Sequence, residues 1–575
     1  MTTTSVSIAN VMRYDMALPA NCAHHAQLDL TGGTHGLWLC VDVAARLALH
    51  PHSEDGSEAA GDQGLMAWDL PSWQEALEGV HLNMIECILD AGANAMPNAA
   101  PLIALARQQG CDLNELRFDF GFDPLSCLAK GGVLIGGPDY VKHQTRSLFE
   151  FAQANMSKAN IFCVSTEAHE MAGASHAQQL GVMAATLSHY FTFADTLEIS
   201  VADIARRTTL RIAVGRDIFV EVAKLRAAKL LFAKVLAAHG VEEEITPRIH
   251  AISSRQTISQ CAPHTNMLRG TEQTFAALLA NVDVVTTSCF DEALGQSSEM
   301  ARRAARNVAI ILQEESNLMQ QPDATTGSYW VEENTSRLVD EGFDFMQQIE
   351  SRGSMPGVLL QGWLREQLNE TYAEQSQRFA ARADAITGVS EYPQLDENMP
   401  DALPVFGEDE QDFILSYEDL IEGCELNGQS SFEDCIAASA AGANVFQISD
   451  ALHLGKAAQS PQMVPLDAHR HAEDFEQLRY QAACLKNNTI RLHCLGDLAR
   501  HNTRKVFAVN FFAAGGLNVS DNSDSKVVCI CGDDKQYAAE LEEVVSSYAD
   551  DIHVVVAGQF EDSVATLQQM HEVLA

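Results

Sequence analysis

The sequence predicts an α/β chain in which a barrel of β/α units is followed by a smaller doubly wound domain. Over about 350 residues, short apolar runs alternate with stretches whose apolar residues recur at helical spacing, which is the pattern of a parallel sheet. No GxGxxG follows an early strand to mark a dinucleotide site, and this favours closure into a barrel over an open sheet. Beyond a polar, proline-broken stretch the alternation starts afresh near residue 489.

From Gly36 to Ala44, GLWLCVDVA reads as a buried strand, and the polar residues up to about Asp69 read as a loop or insertion. Strand-like runs follow in GVHLNMIECILDAGA (79–93), LRFDFGFDPL (116–125) and ANIFCVST (159–166), spaced by helical patterns such as LIALARQQG and QQLGVMAATLSHYF. Gly131-Gly132 and Gly136-Gly137 bracket a short apolar run. Without the Lys-Ser/Thr of a phosphate loop they read as a glycine turn. Asp217 to His239 is the clearest helix: Ile218, Val222, Leu225, Phe232 and Leu236 share a face and Gly240 stands at the stop. RIHAISS after it is another short strand.

Between Tyr372 and Pro404 the chain turns polar and carries Pro393, Pro400 and Pro404, so the barrel is expected to end there and a linker to begin. An acidic helical stretch, Glu408 to Glu422, follows. TIRLHCL (489–495), KVVCICG (526–532) and IHVVVAG (552–558), with helices through Val506–Ala513 and Tyr537–Tyr548, form βαβ units. The predicted division is 1–390, 391–487 and 488–575.

With 37 basic and 78 acidic side chains the formal charge is −41, which repels nucleic acid and anionic membranes. The cysteines, among them Cys22, Cys40, Cys87, Cys163, Cys261, Cys289 and Cys424, have no CxxC spacing and read as buried thiols in a reducing compartment. The N-terminus lacks signal and transit patterns, and no apolar run reaches the roughly 18 residues a membrane span needs, so a cytoplasmic location is expected. No metal site is expected, because the pairs His24-His25, His50 with His52, and His469 with His471 lack the ligands to complete a shell and read as surface histidines.

The stretch from Arg248 to Glu332 is the most specific. Thr265-Asn266-Met267-Leu268-Arg269, Phe290-Asp291-Glu292-Ala293-Leu294, Ala305-Arg306-Asn307, Gln313-Glu314-Glu315-Ser316 and Gly327-Ser328-Tyr329 resemble the NNxVR, FDEAL, ARN, QEES and GSY signatures of the methylmalonyl-CoA mutase family. The resemblance implies an N-terminal (β/α)8 TIM-type barrel that holds acyl-CoA along its axis. It also implies a C-terminal flavodoxin-like domain that holds adenosylcobalamin, and it makes Ser253, Ser254 and Arg269 the candidate substrate-binding residues.

Within that resemblance the chemistry-bearing motifs are eroded. Active members carry a Tyr-His pair in YHMQEAGA. Here Glu167-Ala168-His169-Glu170-Met171-Ala172-Gly173-Ala174 puts Glu167 and Ala168 at those positions, with His169 one residue late as the only substitute. In a strand, such a shift points a side chain to the opposite face. At the cobalamin-binding DxHxxG stand Leu498, Arg500 and Thr503. Shifting by one restores His501 but neither the orienting carboxylate nor the glycine. Thr286-Thr287-Ser288 replaces HTN, Arg255-Gln256 replaces the GW of TSGWS, and Ala324-Thr325-Thr326 replaces PWG. Arg306 is expected to pair with Glu314 or Glu315 in the interior.

A retained framework with lost chemistry resembles the noncatalytic small subunit of two-subunit mutases, as do GGTHGLWL, SWQEALEGV, GFDPL and LGDLARHNTRKVFAVNFFAAGG. The resemblance implies a large catalytic subunit as partner and adenosylcobalamin bound there rather than on this chain. It implies the interconversion of (R)-methylmalonyl-CoA and succinyl-CoA as the reaction of the pair. The other readings are a competent acyl-CoA mutase of different specificity and a free-standing CoA-ester binding protein.

Overall fold

Eight short parallel strands close on themselves in sequence order: β1 (Ala9–Tyr14), β2 (Gly36–Cys40), β3 (Glu86–Asp90), β4 (Arg117–Phe122), β5 (Asn160–Ser165), β6 (Thr208–Val214), β7 (Arg248–Ser253) and β8 (Val284–Thr286). The computed structural model describes residues 8–320, 323–394, 407–453, 462–560 and 562–575. Closure comes from β1 pairing with both β2 and β8. The strands are almost wholly buried, as expected when helices cover the outside of a parallel sheet and side chains fill the inside. At Gly121 the register between β4 and β5 shifts and φ is +56°; a Cβ there would lie 1.8 Å from the Leu89 carbonyl, so only glycine fits.

The helix expected from Asp217 runs as Ile218–Ala238, with Asp217 accepting from the Val220 N–H at its start. It packs against His176–Phe191 and Tyr329–Ser351. Gly132 and Gly136, both at positive φ, end one helix (Pro124–Gly131) and start the next (Gly137–Asn155), which is the turn the sequence suggests. Arg306 does not pair with Glu314 or Glu315, which are exposed on a π-helical turn. It joins Arg302 on the buried Asp29, at 2.9 and 2.6 Å, tying Glu299–Ile310 to Pro19–Thr31.

Helix Trp363–Ala380 runs through Tyr372, where the linker was expected to open. Its polar composition hides a buried side formed by Leu364, Leu368 and Phe379. Pro393 lies in a described loop, and Pro400 and Pro404 lie outside the described residues. Farther on, Phe432–Ala440 and Val445–His453 are helices laid on the barrel's outer helices, and helix Glu408–Ser416 sets Phe413 against Trp68. Phe432 is fully buried against Phe120 and Phe151, and Glu433 makes a two-pronged bond with Arg107 at 2.6 and 2.7 Å. Burying one such phenylalanine contributes about 1.5–3 kcal/mol.

The C-terminal sheet is parallel with order β10 (Asn518–Ser520), β9 (Thr489–Cys494), β11 (Val527–Cys531), β12 (His553–Val556), the doubly wound arrangement of flavodoxin-like domains. Its core joins Phe511, Phe512, Val527 and Cys529 to Phe475 and Leu478 of helix Glu473–Ala483. It also includes Phe379, Ile386 and Val389 from the end of the barrel segment.

Among the described residues no three His, Cys, Asp or Glu side chains gather to hold a metal ion, and no helix is long and apolar enough to cross a membrane. Of the named cysteines all but the half-buried Cys424 are buried. His469 and His471 are not surface histidines as expected. They stack on Tyr372 (3.8 Å) and Phe379 (4.4 Å), helping to seat the C-terminal part.

Candidate functional site

At the C-terminal ends of the barrel strands lies a cavity of about 260 Å3, lined by Arg13, Asp15, Glu167, Arg255, Glu292 and the hydroxyl side chains Ser253, Thr286, Thr287 and Ser288. Trp38 forms its floor. Alternation along β2 turns Trp38 and Cys40 into the barrel, where both are essentially unexposed. The indole sits between two guanidiniums, Arg13 on one strand (4.8 Å) and Arg211 across the barrel (4.4 Å), with the His250 ring edge-on at 5.2 Å.

Each arginine is fixed in turn by acids. Arg13 meets Asp15 at 3.0 Å and Glu167 at 3.2 Å, and Arg211 meets Asp90 at 2.9 Å. Deeper along the axis Arg248 pairs with Glu86, and Thr209 donates to Asp119 at 2.6 Å. Thr286 Oγ1 donates to the Val11 carbonyl, so His250 Nε2 is the donor in its 2.8 Å contact with that hydroxyl. Burial keeps His250 well below the ordinary histidine range, in keeping with that neutral ring. Along the axis where the resemblance would run an acyl-CoA stand Trp38, Arg211, His250, Arg248 and Glu86, and the cavity forms a mouth at Trp38.

Glu167, at the position of the family's tyrosine, lines this mouth. Burial works to raise its carboxyl, but Arg13, Lys130 and Arg255 outweigh it and hold the group down to about 2. Ala168 offers no functional group. Residues Glu167–Met171 are a short helix, not a strand, so the one-residue shift to His169 is a rotation of roughly 100° rather than a face reversal. His169 is buried, 1% exposed, and does not line the mouth. Burial lowers its ring to about 4.

The three predicted substrate residues separate. Ser253 faces the mouth. Ser254 is buried elsewhere and donates to Glu170. Arg269 spends its guanidinium on Asn266 Oδ1 (2.6 Å), Ser259 Oγ (3.1 Å) and the Thr387 carbonyl (2.8 Å), which is an anchor between loops. Of the pair that replaces GW, Arg255 enters the mouth and bonds Glu292 at 2.8 Å, whereas Gln256 points into a different cavity. Sequence reasoning missed Trp38, Arg13 and Arg211. Alternation in GLWLC was the signal for the first, but its partners lie on strands remote in sequence.

In the C-terminal domain Leu498, Arg500 and Thr503 are exposed on the first turns of helix Leu498–Ala514. His501 stands on the same helix, half-buried, with Nδ1 3.2 Å from the Leu495 carbonyl. Neither register brings an acid onto the imidazole or a glycine to the next turn. These residues do not fit the His-ligated cobalamin that the motif builds in active members.

The sequence model described as methylmalonyl-CoA mutase matches residues 8–416. The methylmalonyl-CoA mutase small subunit of Streptomyces virginiae is 29% identical, the match covering 96% of this chain and 80% of that one. The probable methylmalonyl-CoA mutase small subunit of Mycobacterium tuberculosis (strain ATCC 25618 / H37Rv) is also 29% identical, over 82% and 70%. The methylmalonyl-CoA mutase large subunit of Porphyromonas gingivalis is 26% identical, over 66% of this chain and 53% of its own length. Because the matched stretch takes in all eight barrel strands, this chain belongs to the methylmalonyl-CoA mutase family.

Proposed function

We propose that this chain is the noncatalytic small subunit of a two-subunit methylmalonyl-CoA mutase. Its partner is a large catalytic subunit, which holds adenosylcobalamin and interconverts (R)-methylmalonyl-CoA and succinyl-CoA. The observation that carries this reading is Trp38, clamped between Arg13 and Arg211 across the barrel axis where an acyl-CoA chain would have to pass. Glu167 and Ala168 in place of the Tyr-His pair, and His501 without an orienting acid, support it. So do relatives named small subunit that match over most of both chains.

The role left to such a chain is stabilisation, since a surface that binds only the folded partner shifts its folding equilibrium by mass action. We place its parts at 1–390, 391–487 and 488–575 and its location in the cytoplasm, the latter supported by cysteines that are buried in the apolar cores, such as Cys22, Cys40 and Cys87. The test is to purify the chain alone and with the large subunit and assay mutase turnover and adenosylcobalamin spectra. The chain alone is expected to show no turnover and no base-off, His-ligated cobalt, while the pair shows both. Turnover by the chain alone would sink the proposal.

A further inference from the structure

A second cavity, of about 280 Å3, opens beside the barrel mouth and shares no lining residue with it. It lies under the loops after β5, β6 and β7 and is bounded on the far side by Gln375, Arg378, Phe379, Asp384 and His471. One part of its lining is a chain of buried charge. Lys224, 1% exposed, forms an ion pair with Glu221 Oε2 (2.6 Å) and donates to the Ala213 carbonyl (2.6 Å) and Gln179 Oε1 (3.1 Å), and Glu221 Oε1 meets His176 Nε2 at 2.9 Å.

Two neighbouring groups are incomplete. Glu170, 5% exposed, receives the Ser254 hydroxyl on Oε1, but its buried Oε2 meets no partner; Gln256, also 5% exposed, has a buried Nε2 with none. Leaving such an atom unsatisfied costs about 1–3 kcal/mol, and both side chains line the same space, where a bound molecule would supply the missing bonds.

The chemistry of that molecule follows from what faces it. Gln256 Nε2 offers only N–H donors. Burial pushes the Glu170 carboxyl up to about 7, with Lys224 opposing and Glu221 and Glu167 reinforcing, so near neutrality it carries a proton to donate. At the entrance Arg216 and Arg378 share the single carboxylate of Asp384, at 3.1 and 2.8 Å, while the other acid there, Asp217, accepts from the Val220 N–H. His471 is lowered to about 3 by burial and stays neutral. Two donors without acceptors, beneath two guanidiniums, call for a compact group that only accepts.

We propose that this cavity binds a small organic carboxylate, whose oxygens accept from the Gln256 amide and the Glu170 carboxyl group. The test uses the full-length chain titrated with sodium acetate against sodium chloride at matched ionic strength, read by calorimetry and by Tm. Acetate is expected to bind saturably at pH 6 and about tenfold more weakly at pH 8, following the protonated fraction of a group with a pKa of about 7. Glu170→Gln, which donates at every pH, is expected to bind without that pH dependence. Gln256→Leu is expected to weaken acetate at least tenfold. Absence of saturable binding at pH 6 would overturn the proposal and leave the cavity to water. Undiminished binding by Gln256→Leu would place the acid elsewhere. Should that variant not fold, an unchanged pH dependence in Glu170→Gln would be equally fatal.

Discussion

Glu167 and Glu170 stand three residues apart on one short helix, and they end in opposite electrostatic states. Glu167 opens into the barrel mouth against Arg13 and is held down to about 2. Glu170 opens into the lateral cavity with no cation in contact and is pushed up to about 7. Glu170 is buried and Glu167 half-buried, and desolvation pushes both carboxyls up; what separates them is whether a guanidinium sits within bonding distance. At the mouth Glu167 and Arg255 are held in ion pairs, with Arg13 and Glu292. Beside it, polar atoms remain unspent.

The comparison can be broken by removing charges on either side. Glu221→Ala in the lateral cavity strands Lys224, both 1% exposed, and is expected to cost about 3–5 kcal/mol of stability in urea unfolding. A loss below about 1 kcal/mol would mean that water reaches the ammonium. On the axis, Trp38→Ala empties the space between the arginines and is expected to cost about 3 kcal/mol or more, without creating mutase turnover in the isolated chain. If turnover appeared, the indole rather than the missing Tyr-His pair would be what silences the barrel.

Stability as a function of pH sharpens the contrast further. The folded pKa of Glu167 lies below the ordinary glutamate value, so its contribution is present above about pH 4.5 and lost as pH falls toward 2. That of Glu170 lies above, so the folded state holds the proton longer and stability declines as pH rises from about 4.5 through 7. Glu170→Gln should flatten the second slope and leave the first, as read by Tm across the range. The smallest effect is expected outside both sites. Glu433→Gln breaks a two-pronged but partly exposed pair with Arg107 and should cost less than about 1 kcal/mol.

Much of the fold was legible from local pattern. GLWLC, RIHAIS and the C-terminal strands are short apolar runs, and Asp217 and Gly240 flank a helix that carries Ile218, Val222, Leu225, Phe232 and Leu236 at helical spacing. β1 was not read, because Asn10 and Arg13 interrupt its apolar run for reasons that lie outside the strand: Asn10 donates to the Arg306 carbonyl on an outer helix, and Arg13 stacks on Trp38 of the neighbouring strand β2. The acidic stretch after Gly407 looks like linker by composition, yet Phe432, Ile436, Val445 and Phe446 are buried. The partner of Arg306 is 277 residues away in sequence, beyond the reach of any spacing rule. For the site, the lost motifs could be read from the residues present. The plug and the lateral cavity could not, because both are made by contacts between strands and loops distant in the chain.

The C-terminal sheet packs its core around Phe379, Ile386 and Val389, which come from before the intervening helices, as well as around Phe475 and Leu478. A piece beginning at 488 would bare the apolar flank those side chains cover, and the remainder would lose the surface that shelters Phe379. Limited proteolysis between the two should therefore yield fragments that stay associated through a column and melt in a single step, because the smallest autonomous unit here is not a continuous length of chain.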